Sequence, residues 1–312
     1  MTVAVCKVPE DVLTSRERRL REIVGSYGSV VVAFSGGVDS AYLAWAATQA
    51  LGSAALCVTA DSPSYPDHHR QLAFALAREF GLHHEVIRTA EIERPEYRAN
   101  PVNRCYYCKQ ALFAELTRLA AARGFAVVAD GNNADDRGDY RPGRSAAHEF
   151  GVRSPLDDAG LTKADIRELS RRAGLPTWDE PASACLSSRI PYNSEVTPEK
   201  LRMIECAETV LRDLGFRVCR VRHHEMPFDD RSPLDGALGD PERAEGSGRP
   251  ERGRGALARI EIGGDELARA LEPQVRGRIV EALRAIGYRH VTIDLQGYRM
   301  GSLNEGVRLR PA

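Results

Sequence analysis

The stretch Ser29-Val-Val-Val-Ala-Phe-Ser-Gly-Gly-Val-Asp-Ser40 decides the fold. Its first part, residues 29–34, is a short run of β-branched residues, which predicts a buried strand. Two glycines follow, and residues 41–51 are small, apolar and free of helix breakers, which predicts a helix. A strand that enters a helix through a glycine-rich turn is typical of α/β proteins, where ligands lie at the carboxyl ends of the strands.

The alternation of strands and helices continues along the chain. Further strands are predicted at residues 54–59, 84–88 and 125–129, and further helices at residues 68–80, 109–123 and 165–173. Strands that alternate with helices imply right-handed crossovers. We therefore expect an α/β domain with a parallel, Rossmann-like sheet and helices on both faces.

The pattern changes near Trp178, where we place a domain boundary between residues 1–178 and 179–312. The second part is predicted to be a smaller α+β domain. Its predicted helices are residues 198–214 and 265–286, and its predicted strands are residues 217–222, 259–262 and 290–295. Residues 227–255 are rich in Gly, Pro, Arg, Asp and Glu, so we expect a mobile surface insertion there.

Composition narrows the class of protein. The 312 residues carry 43 Lys and Arg against 44 Asp and Glu, a net charge of -1, so no bulk field attracts nucleic acid or an anionic membrane. No run approaches the ~20 apolar residues of a membrane span, and no signal peptide is recognisable. Seven cysteines are too few for a disulfide scaffold and odd in number. We expect a cytoplasmic protein without a membrane or nucleic-acid partner.

The turn after the first strand is a candidate phosphate site. Its glycines permit close backbone approach, and the loop amides and the helix N-terminus attract an anion. No lysine follows the glycines, so the γ-phosphate chemistry of the GxxxxGK(S/T) loop is not favoured. Asp39 is a candidate Mg²⁺ ligand, with a helix-capping carboxylate as the alternative. The candidate phosphate-binding residues are Ser35, Gly36, Gly37, Val38, Asp39 and Ser40.

Two more strand ends carry candidate nucleotide contacts. Thr59 and Ala60 end the second predicted strand, where they can line the adenine. Gly131 and Asn132 follow the fourth strand, where they can meet the ribose or a metal, and we weight them above the acidic pair that follows. The alternative is that these residues only form turns.

Three cysteines stand out. Cys105 and Cys108 form a CxxC pair, and Cys185 lies in Pro181-Ala-Ser-Ala-Cys-Leu-Ser-Ser-Arg189. Three thiolates can bind a metal or cluster and leave one position open. The alternatives are a redox pair, buried cysteines, or a structural zinc completed by His223 or His224. Four cysteines are predicted to be packing residues, namely Cys6, Cys57, Cys206 and Cys219.

These motifs resemble known families. SGGVDS is similar to the pyrophosphate loop of ATP pyrophosphatases, which belong to the adenine nucleotide alpha hydrolase-like fold and adenylate a substrate with release of pyrophosphate. Four longer strings together resemble the LarE family, which makes the nickel-pincer nucleotide cofactor of lactate racemase. They begin at Asn103, Asp130, Pro181 and Asp294 and read NRCYYCK, DGNNADD, PASACLSSRIPY and DLQGYRMGSLNE. The resemblance runs from residue 10 to 305, except for the insertion.

The resemblance implies ATP-dependent sulfur insertion into the carboxylates of pyridinium-3,5-biscarboxylic acid mononucleotide. In family members with one cysteine, the residue matching Cys185 gives up its own sulfur. In members with three, the cysteines bind a [4Fe-4S] cluster that can carry a transferable sulfide. This chain has all three, so we favour a cluster bound by Cys105, Cys108 and Cys185.

The resemblance also implies roles for several polar residues and for partners. Arg220 and Arg222 alternate along a predicted strand and therefore share a face, where the resemblance places substrate-phosphate arginines; the alternative is that both are solvated surface residues. Arg189 and Glu195 flank Cys185 and are expected to orient substrate or sulfur. Asn193 departs from the family, which has glycine there. The implied partners are a sulfide donor, a downstream nickel insertase and further copies of the chain, as in a hexamer.

Three other functions share some of these features. A tRNA thiolase combines SGGxDS with three cluster-binding cysteines, but its polyanionic substrate calls for a basic surface, which the balanced charge of this chain disfavours. An ammonia-dependent amidating synthetase uses the loop and needs no cysteine cluster. A non-enzymatic nucleotide-binding module is the least favoured function, because it does not explain why the loop and the cysteines occur together.

Overall fold

The computed structural model describes residues 10–138, 142–181, 184–228 and 253–299. The chain divides into two compact units. The first holds the described residues up to Ser187 and also Tyr192–Pro198, and the second holds Ser188–Pro191 and the described residues from Glu199 onward. Trp178, where the sequence predicts a boundary, lies within the first unit. Cys185 also lies in this unit, because the unit extends to Ser187.

The first unit is built on a four-stranded parallel sheet. Its strands are β1 (Val30–Ala33), β2 (Ala55–Asp61), β3 (His84–Arg88) and β4 (Val127–Ala129). Their order is β3-β2-β1-β4. Strands β2 and β3 are therefore added on one side of β1, and the chain then crosses to add β4 on the other side. This arrangement confirms the predicted α/β class and parallel, Rossmann-like sheet.

Helices cover both faces of this sheet. Alternate side chains of β1 enter two separate cores, because successive residues of a strand point to opposite faces. Val30 and Val32 pack in one core with α1, α2, α3 and α8, while Val31 packs in the other with α5 and α6. The helices of this unit are α1 (Glu10–Ser26), α2 (Val38–Leu51), α3 (Asp67–Glu79), α4 (Pro95–Arg98), α5 (Arg104–Arg123), α6 (Pro142–Glu149), α7 (Pro155–Asp158) and α8 (Lys163–Arg172).

Four helices start earlier than predicted: α2 begins three residues earlier, α3 one, α5 five and α8 two. Helix α5 begins at Arg104 and not at residue 109, so Cys105 and Cys108 are helical. Tyr and Cys have only modestly lower helix propensity than Lys or Leu, and nothing between Pro101 and residue 109 breaks the helix. Helix α8 begins at Lys163, where Thr162 and Asp165 form a capping box.

The second unit is a smaller α+β fold. Strands β5 (Cys219–Phe228) and β6 (Gly253–Ile262) pair antiparallel, and β6 pairs parallel with β7 (Tyr288–Ile293). Helix α9 (Pro198–Asp213) precedes the sheet. The single helix predicted over 265–286 is two, α10 (Leu267–Ala270) and α11 (Pro273–Ile286), because a proline at the first helical position starts a new helix.

The predicted insertion at residues 227–255 is shorter than expected. Its ends, 227–228 and 253–255, belong to β5 and β6, and residues 229–252 lie outside the described residues. Within the described ranges, no helix combines the length and apolar composition needed to cross a membrane.

Gly36 is expected to resist substitution by alanine. Its φ is +66°, and an added Cβ would lie 2.8 Å from the His69 carbonyl oxygen and 3.0 Å from the Ala73 amide nitrogen. Gly36→Ala should therefore lower the free energy of unfolding by about 2 kcal/mol or more in urea titrations. The control is Gly25→Ala in α1, where a Cβ meets nothing within 4 Å and alanine favours the helix. Equal stabilities of the two variants would contradict this account.

Candidate functional site

The glycine-rich loop lies between β1 and α2, and backbone packs against backbone on both of its sides. Gly36 faces α3, as described above. On the other side, a Cβ at Gly131 would lie 3.1 Å from the Ser40 amide nitrogen. The residue that caps α2 is Gly37, which has no side chain to offer the first amides of the helix. The loop therefore presents backbone N–H groups at a helix N-terminus, the arrangement that binds phosphate.

The two loop serines have different roles. Ser40 is buried, and its hydroxyl accepts from the Ser35 amide at 3.1 Å and donates to the Gly37 carbonyl at 3.0 Å. The Ser35 hydroxyl is exposed and lies 3.0 Å from that of Ser40. Ser40 therefore shapes the loop, and Ser35 is the better placed of the two serines to donate its hydroxyl to a phosphate.

Asp39 forms an ion pair that the sequence did not reveal. The Lys163 ammonium, at the start of α8, lies 2.6 Å from Asp39 Oδ2. Asp39 Oδ1 is buried and has no hydrogen-bond partner within the described part of the chain. Burial raises the pKa of the Asp39 carboxyl; the charge of Lys163 opposes this shift and that of Asp136 adds to it. Asp39 does not cap α2, so the capping alternative is wrong.

The predicted nucleotide contacts on the other strand ends also hold the loops together. The Thr59 hydroxyl is buried and donates to the Phe34 carbonyl at 2.8 Å, which ties β2 to the end of β1. Ala60 follows Thr59 and keeps partial exposure. The backbone N–H of Asn132 donates to Asp130 Oδ1 at 3.2 Å, and this hydrogen bond closes an Asx turn. Contact of these residues with ATP stays a prediction.

The three candidate cysteines lie near one another in the first unit. Cys105 and Cys108 occupy the first turns of α5, three residues apart and therefore on one helix face. Burial raises the pKa of the Cys105 thiol, and the neighbouring Cys185 raises it further. Burial also raises the pKa of Cys108, with added contributions from Glu91 and Cys185. Cys105 nevertheless remains accessible to solvent, although many protein atoms lie around its thiol.

The described part of the chain forms no ready-made site for a single metal ion. The described residues contain no group of three or more His, Cys, Asp or Glu placed to hold one. His223, a predicted zinc ligand, lies in the second unit, 3.4 Å from the Tyr288 hydroxyl, and burial lowers its pKa to about 4. Of the cysteines predicted to pack, Cys57 is buried, Cys219 is half-buried, Cys6 lies outside the described residues, and Cys206 is exposed, so that prediction is wrong for Cys206.

Buried hydrogen bonds hold the Cys185 segment against the first unit. The Leu186 amide donates to the Ser64 carbonyl at 2.9 Å. Arg104, only 3% exposed, donates to the Ser187 carbonyl at 2.9 Å, and the Tyr97 hydroxyl meets that of Ser187. Both residues after Cys185 are thereby fixed by groups that water does not reach.

Further along the segment, two more hydrogen bonds hold residues 193 and 194 against the first unit. The Asn193 amide donates to the Asn100 carbonyl at 2.9 Å, and the Asn100 side chain donates to the Ser194 carbonyl at 3.0 Å. Asn193 has φ of +64°, a left-handed conformation that glycine adopts without strain and asparagine tolerates. Glu195 pairs with Arg98 on the exposed surface. Its predicted role in orienting substrate or sulfur stays untested.

Arg104 is a site residue that the sequence analysis missed. Burial acts to lower the pKa of its guanidinium, but the Cys185 and Cys105 thiols outweigh this and raise it. A permanent positive charge therefore sits beside the thiols and favours any negative charge that forms on sulfur. Its place directly before Cys105 was the available signal.

The predicted phosphate-binding arginines belong to the second unit. Arg222 is 1% exposed; it pairs with both carboxylate oxygens of Glu261, at 3.0 and 2.9 Å, and donates to the Ser188 carbonyl at 2.7 Å. The Arg220 guanidinium lies 4.5 Å from the centre of the Tyr298 ring. Arg220 and Arg222 occupy alternate positions of β5, so they share a face of the sheet.

Arg189 adds a third guanidinium to this unit. It pairs with both oxygens of Glu208, at 2.8 and 3.1 Å, and both side chains are buried. Burial lowers the pKa of Arg220, and the charges of Arg189 and Arg222 lower it further. The three guanidiniums are therefore close enough to affect one another, with Glu208 and Glu261 balancing the charges of Arg189 and Arg222.

Comparison with known proteins gives a matching family model and several similar proteins. Residues 12–102 match the family model described as NAD synthase. An uncharacterized protein of Synechocystis sp. is 39% identical over 292 residues, 94% of this chain and 98% of that protein. The pyridinium-3,5-bisthiocarboxylic acid mononucleotide synthase of Lactiplantibacillus plantarum is 32% identical over 277 residues, 88% and 89% of the two chains. An uncharacterized protein of Methanocaldococcus jannaschii is 28% identical over 270 residues, 86% and 90%.

Replacement of Arg104 should destabilise the protein and loosen the Cys185 segment. Arg104→Leu leaves the buried Ser187 carbonyl without its donor, so we expect a loss of about 2–4 kcal/mol in the free energy of unfolding and faster hydrogen–deuterium exchange of the neighbouring Leu186 amide. Arg123→Leu, at the exposed end of the same helix, is the matched control and should change little. Similar stability and Leu186 amide exchange for both variants would contradict the role of Arg104.

The Arg189–Glu208 pair predicts a pH dependence of stability. Burial acts to raise the pKa of Glu208, but the charge and hydrogen bonds of Arg189 outweigh it and hold the pKa below the ordinary 4.5. Its stabilising contribution is therefore complete above pH 4.5 and is lost as the pH falls through the lower folded value. The difference in unfolding free energy between the wild type and Glu208→Gln should be constant from pH 7 to 5 and shrink below 4.5. The same substitution at the exposed Glu281 should show no such trend, and a difference that grows toward low pH would contradict the assignment.

Proposed function

This chain belongs to the LarE family of pyridinium-3,5-bisthiocarboxylic acid mononucleotide synthases, and we propose that it is an ATP-dependent sulfurtransferase acting on pyridinium-3,5-biscarboxylic acid mononucleotide. The observation that carries the proposal is that Cys105, Cys108 and Cys185 are neighbours in the unit that also carries the SGGVDS loop. Carboxylate activation and sulfur delivery each have a chemical basis there.

The loop supports activation of the carboxylate by adenylation. A carboxylate resists attack by sulfur because its oxygen is a poor leaving group. Attack of that oxygen on the α-phosphorus of ATP breaks the bond to the β-phosphate, releases pyrophosphate and leaves an acyl adenylate with AMP as leaving group. The N–H groups of Gly37 and Val38 at the start of α2 would hold the phosphates. Thr59 and Ala60 would line the adenine, and Gly131 and Asn132 the ribose.

Asp39 would hold Mg²⁺. The donor chemistry fits, because Mg²⁺ prefers carboxylate oxygens and Asp39 Oδ1 is buried without a hydrogen-bond partner among the described residues. Its other oxygen, Oδ2, is held by Lys163. When bound, the ion would neutralise phosphate charge during adenylyl transfer.

The three cysteines would hold a [4Fe-4S] cluster. Their donor set fits, since cysteine thiolates are the usual ligands of such clusters, and a cluster held by these three residues would supply a transferable sulfide. Arg104 supports this assignment, because its buried charge lies beside Cys105 and Cys185 and offsets the negative charge of a thiolate-bound cluster. The hydrogen bonds to Leu186 and Ser187 would keep Cys185 in place.

In the second unit, Arg220 and Arg222 would bind the phosphate of the mononucleotide, with Arg189 adding to the positive charge around Arg220. Arg222 is already bound by Glu261 and Ser188, so its main contribution would be to fix the site. A sulfide donor would restore the transferred sulfur, and a nickel-inserting enzyme would take the product. We also propose that copies of the chain associate.

Anaerobic incubation with ATP, Mg²⁺ and the dicarboxylate mononucleotide tests the proposal. The wild type should release AMP and form a thiocarboxylate while its polypeptide mass, read by intact-protein mass spectrometry, stays unchanged. Conversion of Cys185 to dehydroalanine, read as loss of one sulfur from the chain, would instead make Cys185 the sacrificial donor. Absence of product, together with thiolation of tRNA, would overturn the proposal in favour of a tRNA thiolase.

Cysteine variants separate the remaining alternatives. Cys105→Ala, Cys108→Ala and Cys185→Ala should each stop thiocarboxylate formation, because each removes a cluster ligand, while the exposed Cys206→Ala serves as the matched control and should keep full activity. If the Cys105 and Cys108 variants turned over like the control and yielded an amide with ammonia, the protein would be an amidating synthetase.

A further inference from the structure

Glu91 is a buried carboxylate in the neighbourhood of the three cysteines. It is only 2% exposed and lies in the short helical turn Glu91–Glu93, which packs against α5. Its Oε1 accepts from the Ser64 hydroxyl at 2.9 Å, whereas its Oε2 is buried without a hydrogen-bond partner in the described part of the chain. From this arrangement we infer that Glu91 is a fourth protein ligand of the cluster, bound through Oε2. The inference rests on the proposed cluster and adds a residue to its site.

Ser64 connects Glu91 to the segment that carries Cys185. While the Ser64 hydroxyl donates to Glu91, the Ser64 carbonyl accepts from the Leu186 amide at 2.9 Å, and Leu186 directly follows Cys185. Ser64 is itself buried, so these two hydrogen bonds are shielded from water. One residue therefore joins the carboxylate to the chain next to Cys185.

The carboxylate is also close to Cys108. Burial is the main cause that raises the pKa of the Cys108 thiol, and the charge of Glu91 comes next, ahead of Cys185. Because Coulomb energy falls with distance, this effect identifies Glu91 as a near neighbour of the thiol. Glu91 thus has both Cys108 and the Cys185 segment around it.

Iron ligation accounts for the burial of this carboxylate. A negative charge beside thiols that become thiolates is unfavourable unless a cation compensates it. Clusters of this type usually have four protein ligands, of which the three cysteines supply all but one. Carboxylate oxygen binds iron but is a harder ligand than sulfur, so sulfide can displace Glu91 while the cysteines keep their iron. Glu91 would therefore protect the remaining iron without blocking the delivery of sulfide.

Glu91→Gln tests the inference on the full chain after anaerobic reconstitution of the cluster. Glutamine keeps an oxygen that accepts from Ser64 and removes the carboxylate. We expect the variant to release iron to a chelator about tenfold faster or more than the wild type. Limited oxidation with ferricyanide should convert its cluster to the [3Fe-4S] form, read by EPR, while the wild type keeps four irons. The matched control is Glu93→Gln, an exposed position in the same turn, which should behave as the wild type.

A second measurement separates a ligand from a residue that only supports the cysteines. Wild-type protein is labelled with ¹³C at the side-chain carboxylate of glutamate, and its reduced cluster is examined by pulsed EPR. Ligation through Oε2 should give a strong ¹³C hyperfine coupling in the wild type and in Glu93→Gln. The coupling should be lost in Glu91→Gln.

The outcomes distinguish failure of the inference from failure of the proposed function. A wild-type cluster without the ¹³C coupling would overturn the inference, whatever the rate of iron release, and would leave the three-cysteine cluster standing. A wild type that assembles no [4Fe-4S] cluster would overturn both the proposed cluster and the inference. None of these measurements uses the mononucleotide, so they hold even if another substrate is the true one.

Discussion

Backbone-to-backbone packing at the carboxyl end of β1 is the constraint on which the candidate site depends. Gly36 lies against α3 with a left-handed φ, and Gly131 lies against the first turn of α2. A Cβ at either position would press on main-chain atoms that cannot move separately from their helix. Because both side chains are absent, the loop closes over the strand and directs its amides outward from the start of α2.

Charged groups in each of the two units are arranged so that few of them stand alone. Asp39 pairs with Lys163, Arg104 lies beside the thiols, and in the second unit Arg189 and Arg222 each face a carboxylate. A buried charge is tolerated only when a partner or a ligand compensates it. Asp39 Oδ1 lacks such a partner among the described residues, so it is the atom that best supports the proposed Mg²⁺ site.

The sequence predicted the parts of the site that local pattern controls. The β-branched run and the glycines predicted β1, the loop and α2, and strand alternation placed Arg220 and Arg222 on one face. The predicted start of α5 was wrong because helix propensity alone does not fix where a helix begins. Lys163 could not be predicted as the partner of Asp39, since 124 residues separate them and only the packing of α8 brings them together.

Transfer of isotope from the substrate tests the central claim most directly. The mononucleotide would be prepared with both carboxylates labelled with ¹⁸O, incubated anaerobically with the protein, ATP and Mg²⁺, and the released AMP analysed by mass spectrometry. If the carboxylate is adenylated and then attacked by sulfur at carbon, the carbon–oxygen bond breaks and each AMP carries one ¹⁸O. Unlabelled AMP, or AMP released at the same rate without the mononucleotide, would contradict the account.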